Sequence, residues 1–478
     1  MNKNDSERIA SLLKGLGFAS TEQDTDADLV LVNTCSVRQS AEDRVFGLMR
    51  HYKALKEQNS KLIVGITGCM PGRDRDGALR AKLPLVDLYF PIADLPQLPR
   101  WIGELRPDLV NSPDLVADYF KINPDRQNLR QAFVSIQTGC NKFCTYCVVP
   151  FARGLEKNRP VRDIFDEIRG LADRGCVEVT LLGQTVNSYR APDPEHFDAK
   201  NPFIKRLTCA FLSDSEGYRD PSVAALHQES AKGDHFAALL WEVNQIPEIK
   251  RLHFTAPHPL HMTDEVIDAM ALPAHVNYLH LPMQAGNNEI LRRMNRRYTI
   301  EQFFETISRI KKRHPTMAIG TDIIVGFCGE TPEQFAETAR AYEDIRFDIS
   351  YTARYSVRSG TAAARAFKDD VSREEKKRRW DHLQKIQERV VLEKNQAYVG
   401  KTVSVLVERY EDPKITEEML AMPGAIVDQL AKQPGRCFGN SREMKLTSFP
   451  GSKDLVGQIV DVKIERAEKW ILYGAHSP

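Results

Sequence analysis

Ser135-Ile-Gln-Thr-Gly-Cys140-Asn-Lys-Phe-Cys144-Thr-Tyr-Cys147-Val-Val-Pro150 packs three thiols into eight residues directly behind a short apolar run. The run, Ala132 to Gln137, reads as the first of six strand-like segments. The others are Val177 to Leu182, Arg251 to Thr255, Val276 to Leu281, Ala318 to Gly326 and Asp348 to Tyr355. Helix-period segments separate them at Val161 to Arg174, Phe236 to Gln245, Thr263 to Met270, Ile300 to Arg313 and Pro332 to Ile345. Six strand–helix repeats predict an α/β fold with a parallel, partial (β/α)6 barrel. In such barrels the loops after the strands carry the chemistry, and the three cysteines follow the first strand. Gly183 to Ser188, Ala256 to Pro259, Met283 to Asn287 and Phe327 to Glu330 occupy the equivalent loops, polar and rich in glycine or proline.

Outward from this core, residues 1 to 125 carry the runs Ala27 to Asn33, Lys61 to Thr67 and Val86 to Phe90, with helical patterns at Val37 to Leu55 and Leu95 to Leu105. They predict an open parallel α/β domain. Cys35 and Cys69 fall just past the first two strands, where ligand crevices of such sheets form; two unrelated buried thiols are the alternative. Pro107, Pro113 and Pro124 mark a linker, and the predicted domains are 1–125, 126–370, a helical connector at 371–398 and 399–478. Residues 192–235, charged and weakly periodic, read as an insertion in the barrel. The last domain alternates polar and apolar residues at Thr402 to Val407 and Val456 to Ile464, closes with Trp470 to Gly474, and predicts a small antiparallel β-barrel.

The 478 residues are 42% hydrophobic and 27% charged, with 66 cations against 65 anions, so any nucleic-acid surface must be a local patch. No stretch reaches the ~18 apolar residues of a membrane span, and Met1 to Arg8 lacks a signal peptide's apolar centre. A cytoplasmic chain follows, in which the nine cysteines serve metal binding, catalysis or burial rather than disulfides.

Three readings compete for Cys-x3-Cys-x2-Cys. Structural zinc takes four ligands in spaced pairs, and no suitable fourth Cys or His lies nearby. Ferredoxin-type clusters use four cysteines. Three thiolates instead hold three irons of a [4Fe-4S] cluster and leave the fourth open, the mark of a reactive metal site. This spacing, with Tyr146 before the last cysteine and a β/α barrel downstream, resembles the radical S-adenosylmethionine (radical SAM) enzymes. In that superfamily the open iron chelates the methionine moiety, and one electron cleaves the sulfonium to a 5′-deoxyadenosyl radical.

The resemblance narrows to the MiaB-type tRNA methylthiotransferases and spans nearly the whole chain. It is carried by Asn33-Thr-Cys-Ser-Val-Arg38, Gly68-Cys-Met70, Gly139 to Pro150 with Arg153-Gly154, Gly183-Gln-x-Val-Asn-Ser-Tyr189, His280-Leu-Pro-x-Gln284, Thr321-Asp-Ile-Ile-Val-Gly326 and Tyr355-Ser-x-Arg-x-Gly-Thr361. It implies two [4Fe-4S] clusters and S-adenosylmethionine. Cys140, Cys144 and Cys147 hold the first cluster; Tyr146, Gln184, Gln284 and Asp322 bind cofactor; Cys35 and Cys69 hold the second cluster with a third cysteine. That third ligand belongs to a Gly-Cys-Gln-Met-Asn element of which this chain carries only Met1-Asn2. The expectation is a start placed too far downstream; the rival is a variant one ligand short. Gly435 to Arg442 resembles the RNA-binding segment of the TRAM domain, with Arg436, Phe438, Asn440 and Arg442 as RNA contacts.

The implied reaction replaces the C2 hydrogen of isopentenylated adenosine, beside the tRNA anticodon, with a methylthio group, in a monomer fed by an external electron donor. Rival readings are methylthiolation of threonylcarbamoyladenosine or of a ribosomal-protein aspartate, and a non-catalytic tRNA-binding protein. Arg292-Arg293 and Arg296-Arg297 form a further basic cluster suited to the anticodon stem. Cys176, Cys209, Cys328 and Cys437 lack ligand spacing and receive no chemistry. Lys142 reads either as an aid to thiolate ionisation or as a solvated loop lysine.

Overall fold

Val64 and Ile66 point to one face of the first sheet and Ile63 to the other, and both faces are buried. The alternation of a strand therefore needs helices on both sides. In the computed structural model, which describes residues 1–36, 39–110, 118–126, 128–206, 231–413 and 435–476, β1 (Leu29–Thr34), β2 (Ile63–Gly68) and β3 (Leu88–Pro91) pair in parallel in that order. Helix α1 (Asn2–Gly15) and α3 (Leu98–Leu105) supply Ile9, Leu12, Leu98 and Ile102 to one side, and α2 (Gln39–Gln58) supplies Val45, Met49, Tyr52 and Leu55 to the other.

Helix α1 is absent from the sequence-based expectation. The first two turns of its buried face are polar: Asn4, Asp5 and Arg8 are fully buried, ahead of Ile9 and Leu12. The Arg8 guanidinium donates to the carbonyls of Tyr119, Phe120 and Ile122, and Asn4 donates to Phe133 O at 3.1 Å. Burial is tolerated there because the groups are hydrogen-bonded.

The six central strands occur where the apolar runs lie. They form two parallel three-stranded sheets: β4 (Gln131–Ser135), β5 (Glu178–Leu182) and β6 (Arg251–Phe254) in the order β6-β5-β4, and β7 (Tyr278–His280), β8 (Ala318–Val325) and β9 (Ile349–Arg354) in chain order. Helices intervene at α4 (Val161–Ala172), α5 (His235–Asn244), α6 (Asp264–Ala269), α7 (Ile300–Arg313) and α8 (Pro332–Ile345). Thr299 and Thr331 start α7 and α8 with reciprocal capping boxes to Gln302 and Gln334, satisfying two orphan donors each.

The molecule folds as two units. One gathers 1–269, 289–298 and 356–370; the other gathers 270–288, 299–355 and 371–478. The first holds the N-terminal sheet and β4 to β6. The second holds β7 to β9, α9 (Arg373–Gln396) and a closed barrel. On α9, Leu383, Ile386 and Val390 are buried and Trp380 Nε1 donates to Thr352 O at 2.9 Å.

The barrel runs β10 (Thr402–Glu411), β11 (Arg436–Ser441), β12 (Leu446–Pro450), β14 (Leu472–His476), β13 (Ile459–Ala467) and back to β10, antiparallel except for the β12–β14 pair. Gly435 to Arg442, likened in sequence to the RNA-binding segment of the TRAM domain, is largely strand β11. Cys437, Gly439 and Ser441 are buried while Arg436, Phe438 and Asn440 alternate outward, a period of two that small inward residues obscure. In the insertion, Ile204–Arg206 pairs antiparallel with Ala231–Gly233. Residues 207–230, with Cys209, lie outside the described residues, as does the segment 414–434.

Candidate metal centre

Beyond β4 the chain makes a two-residue ladder, Gln137–Thr138 against Lys157–Asn158, which closes residues 139–156 into a flap. Gly139 sits at φ +73°, and a Cβ there would run into the Leu155 carbonyl. Cys140 N donates to Gly154 O at 3.1 Å and Cys147 N to Cys144 O at 2.9 Å. From the other side, Thr145 N donates to Met294 O at 3.1 Å, Thr145 Oγ1 to Arg293 O at 2.8 Å and Asn295 Nδ2 to Phe143 O at 3.0 Å. The cysteine loop is thus held by backbone at both edges.

Each sulfur meets one N–H donor. Lys142 N lies 3.4 Å from Cys140 Sγ, Arg296 Nη1 3.4 Å from Cys144 Sγ and Val149 N 3.4 Å from Cys147 Sγ. Thr185 Oγ1, one residue beyond Gln184, is 3.5 Å from Cys140 Sγ. Burial, with Cys144 and Cys140 adding to it, pushes the Cys147 thiol up to about 12. A metal must therefore displace its proton. Among the described residues no group of three His, Cys, Asp or Glu is drawn together around a single ion. The donor set still fits a cluster, in which each thiolate binds a separate iron and hydrogen bonds to the sulfurs tune the potential.

The loop after β6 closes this end of the unit. Lys142 Nζ lies 2.6 Å from His261 Nε2, so its amine is engaged with an imidazole rather than left to solvent. Burial and Lys142 hold His261 down at about 4. Burial, then Arg296 and His261, hold His258 at about 2, and its ring packs edge-on to Tyr298. His258, His261, Tyr298 and Thr185 were not singled out from sequence as site residues, and Arg296 was read there as part of a basic cluster for the anticodon stem. The loops that bear Thr185 and His258 were placed on the right face, but only the tertiary fold brings Thr185 and Arg296 to the thiols.

In the second unit, Gln284 and Asp322 come together. Gln284, at φ +69°, bridges β8 by Gln284 N to Asp322 O at 2.8 Å. Asp322 Oδ2 lies 2.9 Å from His280 Nε2, and Tyr278 OH lies 3.1 Å from His280 Nδ1.

At the N-terminal sheet, Thr34 pairs with Gly68, which sets Cys35 and Cys69 side by side at the strand ends. Gly68 adopts φ +99°, and a Cβ there would meet the Thr34 backbone. Burial pushes the Cys69 thiol up, while Arg153 draws it down. Arg153 Nη2 is itself 2.5 Å from Asp5 Oδ2. The amino group of Met1 is buried in the same place, beside Asp5, Arg153 and Cys69. Asn33 Oδ1, Ser36 Oγ and Thr67 Oγ1 are buried there without a hydrogen-bond partner among the described residues.

On the barrel, the Arg436 guanidinium lies 5.6 Å from the Tyr473 ring centre, and Arg409 lies 4.0 Å from that of Phe438. Asn440 Nδ2 donates to Glu408 at 2.9 Å. Arg442 Nη2 donates to the carbonyls of Pro273 at 2.6 Å and His275 at 2.5 Å, so its guanidinium is used inside the protein. Arg466, not singled out from sequence, lies 3.9 Å from the Tyr473 ring centre.

Three family models match the chain: the radical SAM superfamily over residues 134–342, the uncharacterized protein family UPF0004 over 1–91 and the TRAM domain over 425–475. Full-length relatives go further. A tRNA-2-methylthio-N(6)-dimethylallyladenosine synthase of Clostridium botulinum (strain Okra / Type B1) is 36% identical over 99% of this chain and 94% of its own length. Its counterpart in Dictyoglomus thermophilum is 37% identical over 99% and 96%. The one in Thermoanaerobacter sp. (strain X514) is 35% identical over 99% and 90%. The chain belongs to the MiaB-type radical SAM methylthiotransferases.

Membership in this methylthiotransferase family makes the chain an enzyme and implies a [4Fe-4S] cluster and S-adenosylmethionine as cofactors. The superfamily match covers Cys140, Cys144 and Cys147, and the N-terminal match covers Cys35 and Cys69. Three other cysteines of the methylthiotransferase are buried: Cys328, Cys176, whose thiol donates to Glu178 O at 3.2 Å, and Cys437, whose thiol donates to Ser452 O at 3.4 Å.

Proposed function

We propose that this methylthiotransferase installs a methylthio group at C2 of the dimethylallylated (isopentenylated) adenosine beside the tRNA anticodon. The observation that carries the reading is a loop of three thiols, each facing one N–H donor, in a chain whose full-length relatives bear that activity in their names. The same relatives favour this substrate over threonylcarbamoyladenosine or a ribosomal-protein aspartate.

Cys140, Cys144 and Cys147 hold the catalytic cluster. When bound, the cluster and S-adenosylmethionine supply one-electron cleavage of a sulfonium, the hard chemistry that the protein itself lacks. The residues of the chain position and shield. Lys142 N, Arg296 and Val149 N orient the sulfurs, and neutral His258 and His261 line the site without adding charge. Tyr146, Gln184, Gln284 and Asp322 are assigned to the cofactor. Cys35 and Cys69 are assigned to a second, sulfur-supplying cluster, supported by three buried polar atoms around them that lack partners among the described residues.

Residues 1–125 form the sulfur-supplying domain, 126–370 the radical barrel, 371–398 the connector and 399–478 the RNA-binding domain. Arg436 and Phe438, joined by Arg409, Arg466 and Tyr473, give alternating guanidinium and aromatic surfaces suited to phosphates and bases. The proposed partners are tRNA and an external electron donor, and the proposed location is the cytoplasm, where tRNA is found.

Anaerobic reconstitution tests the reading. About eight irons per chain supports two clusters and about four supports one. Changing Cys140, Cys144 and Cys147 to alanine should abolish S-adenosylmethionine cleavage and the methylthio mark in tRNA nucleoside digests; cleavage that persists would sink the assignment.

A further inference from the structure

The four arginines at 292, 293, 296 and 297 read as one basic patch, but the structure divides them. Arg292 and Arg293 pair with Glu289 at 2.7 and 3.1 Å, and Arg297 is exposed. Arg296 is turned inward and only 6% exposed. Its Nη1 lies 3.4 Å from Cys144 Sγ, its Nε donates to Tyr298 OH at 3.3 Å, and its guanidinium lies 5.2 Å from that ring's centre. Asn295 and Arg297, on either side, adopt left-handed φ of +56° and +50°. Non-glycine residues hold such angles only where surrounding contacts enforce them. Here the contacts are those of Thr145 and Asn295 with the facing loop. The backbone is bent so that one arginine of four reaches a sulfur.

We propose that Arg296 is a positioning residue for redox chemistry: its charge and N–H, applied to Cys144 Sγ, raise the reduction potential of the cluster held by Cys140, Cys144 and Cys147. The inference rests on the reading of those three cysteines as the cluster ligands. Reduction adds one electron, delivered by an external low-potential one-electron donor, to a cluster already carrying thiolate charge. A fixed cation beside one sulfur therefore stabilises the reduced form more than the oxidised form. The effect is strong because the site is desolvated. Guanidinium suits the role since it stays protonated and aims its N–H groups in a rigid plane. Arg296 thereby eases electron loading.

The test uses the full chain carrying Cys35→Ala and Cys69→Ala, so that only the barrel cluster reports. Arg296→Gln and Arg296→Lys are built on that parent, reconstituted anaerobically and titrated reductively with spectroscopic detection of the reduced cluster. Arg296→Gln should keep the parent's iron and circular dichroism, yet show an oxidised-to-reduced ratio at least tenfold higher at a fixed potential. That is a fall of about 59 mV for a one-electron couple. Arg296→Lys, which keeps the charge and loses the planar fork, should fall between. An unchanged titration at full iron content overturns the proposal. So does iron loss from a folded Arg296→Gln, which would assign Arg296 to holding the loop. If Arg296→Gln does not fold, a lowered potential in Arg296→Lys supports the proposal and a parental one overturns it. A parent that takes up no iron overturns the ligand reading itself, and this inference with it.

Discussion

His258 shows how a single side chain couples the site to pH. Its imidazole is held at about 2, first by burial and then by Arg296 and His261. It is therefore neutral in the fold at every pH near physiological, whereas the unfolded chain protonates it below about 6.5. Unfolded chains then bind the extra proton, so this group's contribution is full above pH 6.5 and is lost as pH falls below it. Between pH 7.5 and 5.5 the loss amounts to about 1.4 kcal/mol. His258→Asn, whose amide oxygen can replace Nδ1 as acceptor for Leu260 N, should remove that part of the pH dependence. Denaturant unfolding of the apoprotein at the two pH values checks it, and an unchanged difference between them refutes it. At this scale the sequence discloses cysteines and little else. Cys140, Cys144 and Cys147 announce themselves by spacing, whereas Arg296 looks like its neighbours until the left-handed turns at Asn295 and Arg297 direct it inward.

Among elements, legibility follows the match between local pattern and packing. Helices α7 and α8 are read to the residue, because an apolar stripe coincides with a capping box at Thr299 and Thr331. The six barrel strands are plain as short apolar runs. Helix α1 is hidden because Asn4, Asp5 and Arg8, which a hydropathy pattern assigns to solvent, make up most of its buried face. Strands β11 and β12 are blurred by Gly439, Ser441 and Thr447, small inward residues that do not read as a core. The caps yield a direct prediction. Thr299→Ala removes an acceptor for Gln302 N and should cost about 1 kcal/mol, with Thr299→Ser restoring most of it. Chemical unfolding monitored together with amide exchange in α7 would measure both, and equal stability of all three proteins would rule the cap out as a contributor.

For the whole molecule, a net charge of +1 gives no general attraction to RNA, so salt-dependent binding must come from a local surface. Arg409→Gln and Arg466→Gln should each lower the slope of log affinity against log salt by about 1 for an anticodon stem-loop. Arg442→Gln should leave the slope alone, since that guanidinium already serves the Pro273 and His275 carbonyls. Filter binding over a salt series separates the two outcomes; a slope change at Arg442 alone would reverse the assignment. The interleaved order of the two units carries a consequence in time. Arg296 follows Cys144 by 152 residues, and the first unit draws its last segment from 356–370. At about 5–20 residues per second, the ribosome emits the cysteines roughly 8–30 s before the arginine that faces them. The Cys144 thiol thus spends that interval without the guanidinium that faces it, and the loop acquires its full set of N–H donors only once residue 296 has been made.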